Sequence, residues 1–224
     1  MKKIIFTVVS VSVCTCSIFT ACSTSSTTKT STSPELQPPL PEKVQFAAIS
    51  WKPNISADEL NLTPLDVYRK ITVTLKAFDD IRADQRIIGK TLEDKKIQGS
   101  FIPLATRNHV AKWCKEGIIN SLKDMNVPYA DKKGSLQLEL ELAECEIEDN
   151  ITQTGKISFN VSAYTGGDLL IWEGKISGNS DLYYRPKDSD GISECLSNAV
   201  KITTNNLFTE QSFRDAVIKA FELE

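Results

Sequence analysis

Apolar and polar residues alternate most regularly over residues 135–142, where four leucines are separated by glutamine and glutamate. This period of two predicts a half-buried strand with one face on a core and the other face in water. After Leu142 the apolar positions shift by one, to Ala143, Cys145 and Ile147. One extra residue at Leu142–Ala143, a β-bulge, would keep the same face buried, so we expect the strand to continue through the shift.

The same criterion predicts strands over residues 71–77, 157–163 and 170–180, the last two joined by a hairpin turn at 164–168. Residues 46–51 are compatible with a short strand. Apolar residues at helical spacing predict helices over 108–125, from about residue 192, and over 212–223. Thr106 or Asn108 can cap the first helix. Residues 79–105 give weak local signals and are expected to form a long connection.

Each predicted strand has one apolar and one polar face, which is the pattern of a sheet covered by helices on one side. The main elements follow the order strand, helix, three strands, helix. We therefore predict an α+β fold, a two-layer α/β sandwich. It has a mostly antiparallel sheet of about four strands, with two helices on one face.

The first 22 residues have the composition of an export signal. Lys2 and Lys3 precede a short apolar run over residues 4–13, and small residues precede Cys22. The run is too short for a comfortable membrane span of about 20 residues. Thr20-Ala21-Cys22 resembles the lipobox of bacterial lipoproteins, although Phe19 stands where leucine is usual. The resemblance implies cleavage before a lipidated Cys22, whereas an ordinary secretory signal would need no cysteine.

Ser23, rather than aspartate, follows the proposed anchor, and this resembles the default signal for transfer to the outer membrane. Residues 22–44 are rich in Ser, Thr and Pro and cannot form a core, so they are expected to be a tether. The predicted organisation is a lipoprotein signal peptide over 1–21, a tether over 22–44, and a single periplasmic α+β domain over 45–224. The expected location is the outer membrane, lipid-anchored and facing the periplasm.

Composition narrows the classes of partner. The formal net charge is −3, and it becomes −5 once Lys2 and Lys3 leave with the signal. This balance gives no electrostatic footprint for nucleic acid.

Three cysteines remain after Cys22, so at most one intramolecular disulfide can form in an oxidising compartment. Cys114 and Cys195 both lie near the starts of helices predicted to run side by side, and this favours their pairing. Cys145 competes for either partner. Three buried free thiols remain the alternative.

Several short motifs resemble one known family. They are Asp80-x-Arg82 and Ile88-Gly89 after the first strand, then Trp172-x-Gly174, Gly178-x-Ser180 and the helix through 196–199. Together with the lipobox, this set resembles the YajG-type family of small outer-membrane lipoproteins over about residues 70–215. The resemblance implies a periplasm-facing α/β sandwich, no catalytic residues and no assigned activity. More distant relatives that assist transporters or envelope assembly suggest an adaptor role.

Candidate chemistry is sparse. His109 is the single histidine and lacks the setting of a Ser-His-Asp triad, so a solvated or capping role is expected. The Asp188–Gly191 stretch fits an acidic helix N-cap better than a calcium loop. The glutamates over 139–148 are expected on the wet face of their strand. Asp80 and Arg82 are candidates to brace the loop that follows the first strand or to contact a partner. We expect no metal and no cofactor.

These observations predict a non-enzymatic, lipid-anchored periplasmic lipoprotein that binds or supports an unknown envelope protein. The alternative is an accessory subunit of an envelope transport or assembly complex. A hydrolase using His109 or a carboxylate pair is a third class. The 79–105 segment and the polar face of the sheet are the expected contact surfaces.

Overall fold

The computed structural model describes residues 39–56, 59–60, 63–93, 100–150, 152–183 and 189–222. Its strands are β1 (Gln45–Phe46), β2 (Val73–Asp80), β3 (Ile87–Leu92), β4 (Phe101–Ala105), β5 (Leu136–Asp149), β6 (Thr152–Thr165) and β7 (Leu170–Tyr183). Its helices are α1 (Val110–Asp124), α2 (Ser189–Thr209), α3 (Gln211–Phe221) and a 3-10 helix over Thr63–Lys70.

All seven strands belong to one mixed sheet, with the order β1-β4-β3-β5-β6-β7 and with β2 also paired to β5. The pairs β1–β4, β2–β5 and β3–β5 are parallel, and the others are antiparallel. The prediction of a mostly antiparallel sheet of about four strands with two helices is therefore wrong. Within the described residues there are seven strands and three α-helices, although the broad α+β class fits.

The long connection expected over 79–105 contains β3 and β4. Local signals for both strands are weak for physical reasons. Gly89 in β3 has φ +140°, and a Cβ there would lie 1.9 Å from the backbone oxygen of Ile147, so the close approach of β3 to β5 requires glycine. Pro103 lies inside β4, where it is unfavourable because proline cannot donate a hydrogen bond to a ladder. Glycine and proline both have low strand propensity, so the local sequence did not predict β3 and β4 although the tertiary structure forms them.

The bulge predicted on the central strand is confirmed. The register of β5 against β6 shifts between Leu142 and Glu144, and apolar side chains before and after the shift are buried. One face of β5 and β6 therefore carries the core, where it meets apolar residues of α1 and α2 such as Ile118 and Phe208. The opposite face carries the glutamates and lysines.

The helix predicted over 108–125 is present, but its cap differs. His109 is the N-cap residue, and its side chain accepts a hydrogen bond from the backbone nitrogen of Lys112. Asn108 instead accepts a hydrogen bond from the backbone of Ile49 at 3.1 Å, and Thr106 hydrogen-bonds to Asn108. The predicted cap at Thr106 or Asn108 is therefore wrong, whereas the capping alternative expected for His109 is confirmed.

Residues 47–56 form an extended strap that crosses α1 and α2. The backbone N–H of Ser50 donates a hydrogen bond to the Ser193 hydroxyl of α2 at 3.1 Å. The backbone N–H of Lys52 donates to the Ser197 hydroxyl of α2 at 3.0 Å. Trp51 packs edge-on against Trp113 with ring centroids 6.3 Å apart. The strap thus joins the start of the domain to both helices.

Candidate functional site

Asp80 and Arg82 form a buried ion pair at the end of β2. The Arg82 guanidinium donates from Nε and Nη2 to the two carboxylate oxygens of Asp80, at 2.8 and 2.7 Å. The side chains are only 4% and 7% exposed. Arg82 also donates to the backbone oxygens of Gln85 and Ile87, each at 2.8 Å. The pair therefore braces the loop over residues 81–86 from inside.

The same motif occurs a second time in this loop. Arg86 donates to both carboxylate oxygens of Asp84, at 3.0 and 2.9 Å. This pair is less buried than the first, with side-chain exposures of 31% and 19%. The hydrogen bonds from Arg86 lower the pKa of Asp84 below its ordinary value despite partial burial. Two consecutive Asp-x-Arg pairs thus hold the loop in one shape.

The braced loop lies beside a break in the pairing of β5. On one edge β5 pairs first with β2, up to Asp80 opposite Leu142, and then with β3, from Gly89 opposite Ile147. Over residues 143–146 no described strand pairs with this edge. The interval from Leu142 to Ile147 corresponds to about 16 Å of extended backbone. The central strand therefore has an open stretch of edge in the middle of the sheet.

A cleft of about 650 Å³ lies over this open edge. We call it the β5 cleft, and its charged lining comprises Arg82, Asp84, Lys90, Glu144, Glu146, Glu148 and Lys156. Its volume falls within the range of small ligand sites in proteins. The loop, the open edge and the neighbouring end of β3 form its walls.

Charges of both signs surround the β5 cleft. Glu144 lies 2.7 Å from Lys156 and 3.2 Å from Lys175, and Lys90 lies 2.8 Å from Glu148. The hydrogen bond from Lys156 is the main cause that lowers the pKa of Glu144 below its ordinary value. The rim is therefore mixed in charge and suits a partner that carries both donors and acceptors.

The structure does not bring Cys114 and Cys195 together. All three described cysteines are free and buried. The Cys195 thiol donates hydrogen bonds to the backbone oxygens of Gln153 and Ser180. The predicted Cys114–Cys195 disulfide is therefore not formed in the structure, where the Cys195 thiol is directed at β6 and β7.

The remaining sequence candidates are scattered. Cys22, the lipobox and Asp188 lie outside the described residues. Asp190 pairs with Lys52 of the strap at 2.6 Å. Among the described residues, no group of three His, Cys, Asp or Glu side chains is placed to hold a metal ion. No described helix is both long and apolar enough to cross a membrane.

Sequence reasoning found the Asp80–Arg82 brace but missed the β5 cleft and the strap. The cleft depends on two parallel pairings between distant segments, which leave no periodic signal. The strap is held by Ser193, Ser197 and Asn198 of α2. These three polar residues lie within six positions of a largely buried helix, and this clustering was the sequence signal that could have predicted the strap.

Comparison with known proteins gives structural similarity only. No family model matches the chain, and no curated protein matches it. Among solved structures, protein XCC0632 from Xanthomonas campestris, of family DUF330, is similar with a TM-score of 0.47 and 8% sequence identity. The alignment covers 80% of this chain and 99% of that chain.

An uncharacterised Enterobacter protein is also similar, with a TM-score of 0.44 and 8% identity over 75% of this chain and 99% of its own. Both neighbours are bacterial and uncharacterised. Neither is described as a YajG-type protein, so the resemblance to that family remains a prediction.

Proposed function

We propose that this chain is a lipid-anchored, non-enzymatic binding domain of the bacterial envelope, and that the β5 cleft receives an extended segment of a partner protein. The observation that carries the proposal is the open edge over residues 143–146, which lies in a cleft of about 650 Å³. An exposed strand edge offers backbone donors and acceptors in the spacing of a sheet, which is how β-strand addition captures extended peptides.

The braced loop supports this assignment. A binding edge has to be held open, and a collapsed loop would fill the space. The bidentate bonds between Arg82 and Asp80, together with the bonds to Gln85 and Ile87, fix the loop where it lines the cleft. Affinity then comes from the backbone of β5, and orientation comes from the mixed charges of the rim.

The anchor is proposed from the first 23 residues. Cys22 would carry a diacylglyceryl group after cleavage, and two or three acyl chains would hold the domain on the membrane. Ser23 favours the outer membrane, and we propose that the protein is a YajG-type lipoprotein. Residues 22–44 would provide the reach from the membrane to a partner.

Photo-crosslinking in cells tests the binding cleft. A photoreactive amino acid is placed at Ala83, which is exposed and lines the cleft, and as a control at Asp215, which is exposed on α3. We expect a discrete crosslinked partner from position 83 alone. Glu146→Lys on the rim should reduce its yield, whereas Glu173→Lys, also exposed on the sheet, should not. Equal yields from all of these proteins would contradict the proposal.

Metabolic labelling with a palmitate analogue tests the anchor separately. Wild type and Cys16→Ala should incorporate the label, and Cys22→Ala should not. Cys16 is the matched control because it lies in the same segment without the small residues that precede Cys22. Label on Cys22→Ala as strong as on wild type would exclude lipidation at this cysteine.

A further inference from the structure

The strand β7 lies at one end of the sheet. It pairs with β6 on one side, and no described strand pairs with its other side. The pairing with β6 is regular from Trp172 to Tyr183, and this stretch contains neither a bulge nor a proline. Proteins commonly protect an edge strand by such interruptions or by keeping it short. The outer edge of β7 lacks both of these protections.

Alternate residues of β7 direct their backbone groups away from β6. In an antiparallel pair, residues that bond the neighbouring strand alternate with residues whose N–H and C=O point outward. The backbone oxygen of Ser177 accepts a hydrogen bond at 2.9 Å from the side chain of Asn206 on α2, so it points outward. Because the register is unbroken, the backbone groups of Glu173 and Lys175 point outward as well. These two residues offer two N–H and two C=O groups to a further strand.

The side chains of Glu173 and Lys175 are exposed on the polar face of the sheet. Within the described part of the chain, Glu173 has neither a hydrogen bond nor an ion pair. It lines a cleft of about 330 Å³ together with three other acids, Asp79, Glu139 and Glu141. This carboxylate therefore has a negative setting and would gain from a cation brought by another molecule.

Lys175 lies two positions from Glu173 and has a partner that it shares. Its ammonium group lies 3.2 Å from Glu144, and Lys156 lies 2.7 Å from the same carboxylate. The Lys175 side chain is 54% exposed. Lys175 can therefore turn toward a second carboxylate while Lys156 stays with Glu144.

We propose that two copies of this chain associate through β7, antiparallel and about a two-fold axis at Gly174. In this register Glu173 of each copy lies opposite Lys175 of the other, and the outward backbone groups of both residues are bonded. Opposite charges directly across two strands attract, and equal charges repel. An axis at Glu173 or at Lys175 would place equal charges opposite each other, so the charge pattern selects Gly174.

Association through β7 leaves the β5 cleft free. The strand β6 lies between β5 and β7, and the open edge over residues 143–146 lies on the other side of β5. The pairing would join two seven-stranded sheets into one, and each copy would keep its own β5 cleft. This inference does not depend on the proposed function, and its failure would leave that function untouched.

Sedimentation equilibrium of the purified full chain in a density-matched detergent measures the association. We expect a monomer–dimer equilibrium for the wild type. Glu173→Lys and Lys175→Glu should each raise the dimer Kd about tenfold or more, because each places equal charges opposite one another at two symmetric positions. The double variant with both changes should restore the wild-type Kd, because opposite charges again face each other. A wild type that stays monomeric, or single variants with the wild-type Kd, would overturn the proposal.

Net charge provides a control. The formal net charge of −3 becomes −1 in Glu173→Lys and −5 in Lys175→Glu, since each reversal changes it by two. A general effect of net charge would move the Kd of these variants in opposite directions, whereas pairing through β7 predicts weaker association in both. Glu116→Lys makes the same charge change as Glu173→Lys at an exposed position of α1, and it should keep the wild-type Kd.

Amide hydrogen exchange locates the interface. The backbone N–H groups of Glu173 and Lys175 should exchange more slowly as the protein concentration rises, because they become bonded in the dimer. In Glu173→Lys the exchange at these positions should stay fast over the same concentrations. Association of the wild type with unchanged exchange at residues 173 and 175 would place the interface elsewhere and refute pairing through β7.

Discussion

A guanidinium is costly to bury unless its donors are satisfied, and Arg82 uses four hydrogen bonds to meet that cost. Two go to the carboxylate of Asp80, and two go to backbone oxygens of the loop that Arg82 supports. Desolvation acts to lower the pKa of Arg82, but the hydrogen bonds to Asp80 and the charge of its carboxylate act to raise it, and the pKa is raised overall. Arg82 therefore keeps its charge inside the domain.

Removal of this guanidinium should destabilise the domain strongly. We expect Arg82→Met, which keeps much of the volume, to lower the free energy of unfolding by about 3–5 kcal/mol, because it leaves the Asp80 carboxylate buried and unpaired. Urea unfolding measures the change. The control is Arg69→Met, whose partner Asp66 is exposed, and whose cost should stay below about 1 kcal/mol. Equal costs for the two variants would contradict a buried ion pair.

The Asp80–Arg82 pair also shows what the sequence could and could not predict about single residues. Two opposite charges two positions apart predicted either a brace or a contact surface. The choice between them depends on burial. The loop over 81–86 covers the pair only because β2 and β3 pair with the same strand, and that arrangement involves residues more than 50 positions away.

At the scale of elements, local pattern predicted those that carry strong periodicity. The alternation of β5 and β6, the bulge after Leu142 and the helices α1 and α2 were all visible in the sequence. The strands β3 and β4 were not, because Gly89 and Pro103 serve tertiary needs at the expense of local propensity. The strap was missed for a similar reason, since its hydrogen bonds go to side chains of α2 rather than to a ladder.

The strap provides a test at this scale. Asn198 accepts hydrogen bonds from the backbone nitrogens of Asn54 at 2.8 Å and Ile55 at 3.1 Å. We expect Asn198→Ala to cost about 2 kcal/mol of unfolding free energy, because it leaves two partly buried donors unsatisfied. Amide hydrogen exchange should accelerate at residues 54 and 55.

Asn206→Ala is the control for the strap. Asn206 lies on the same helix, is exposed, and donates a single hydrogen bond to the backbone of Ser177. Its cost should be about 0.5 kcal/mol, with unchanged exchange at residues 54 and 55. Unchanged exchange in Asn198→Ala as well would show that the strap does not depend on α2.

At the scale of the whole molecule, buried thiol and phenol groups with raised pKa values predict that the free energy of unfolding decreases at alkaline pH. Burial raises the pKa of Cys195 to about 12 and raises those of Cys114 and Tyr68 as well. Above about pH 9 the unfolded chain releases protons that the folded chain retains. Since the folded state then binds more protons, the free energy of unfolding decreases as pH rises.

Cys195→Ala should make this decrease less steep between pH 9 and 11, because it removes one of the retained protons. Denaturant unfolding at a series of pH values measures the slope. Between pH 6 and 8 the wild type and the variant should have the same slope, and this is the internal control. Parallel curves over the whole range would contradict retention of the Cys195 proton.

The domain as a whole was harder to predict than its parts. The α+β class follows from strands with one apolar face, but the number and direction of strands depend on which segments meet. Parallel pairing of β2 and β3 with β5 joins segments that the sequence separates by an entire helix, and no local pattern specifies it. The β5 cleft was unpredictable for the same reason, since it exists only where those two pairings leave a gap.

The double pairing of β5 also affects how the chain acquires its structure during synthesis. The ribosome releases β2 long before β5, yet β5 is the only described strand that pairs with β2. Val73 and Leu75, which are buried in the folded domain, pair with residues of β5 that lie 63 positions further along the chain. Contacts of such long sequence separation slow folding and prolong exposure of apolar segments. A chain truncated before β5 would therefore expose the apolar residues of β2 and be prone to aggregate.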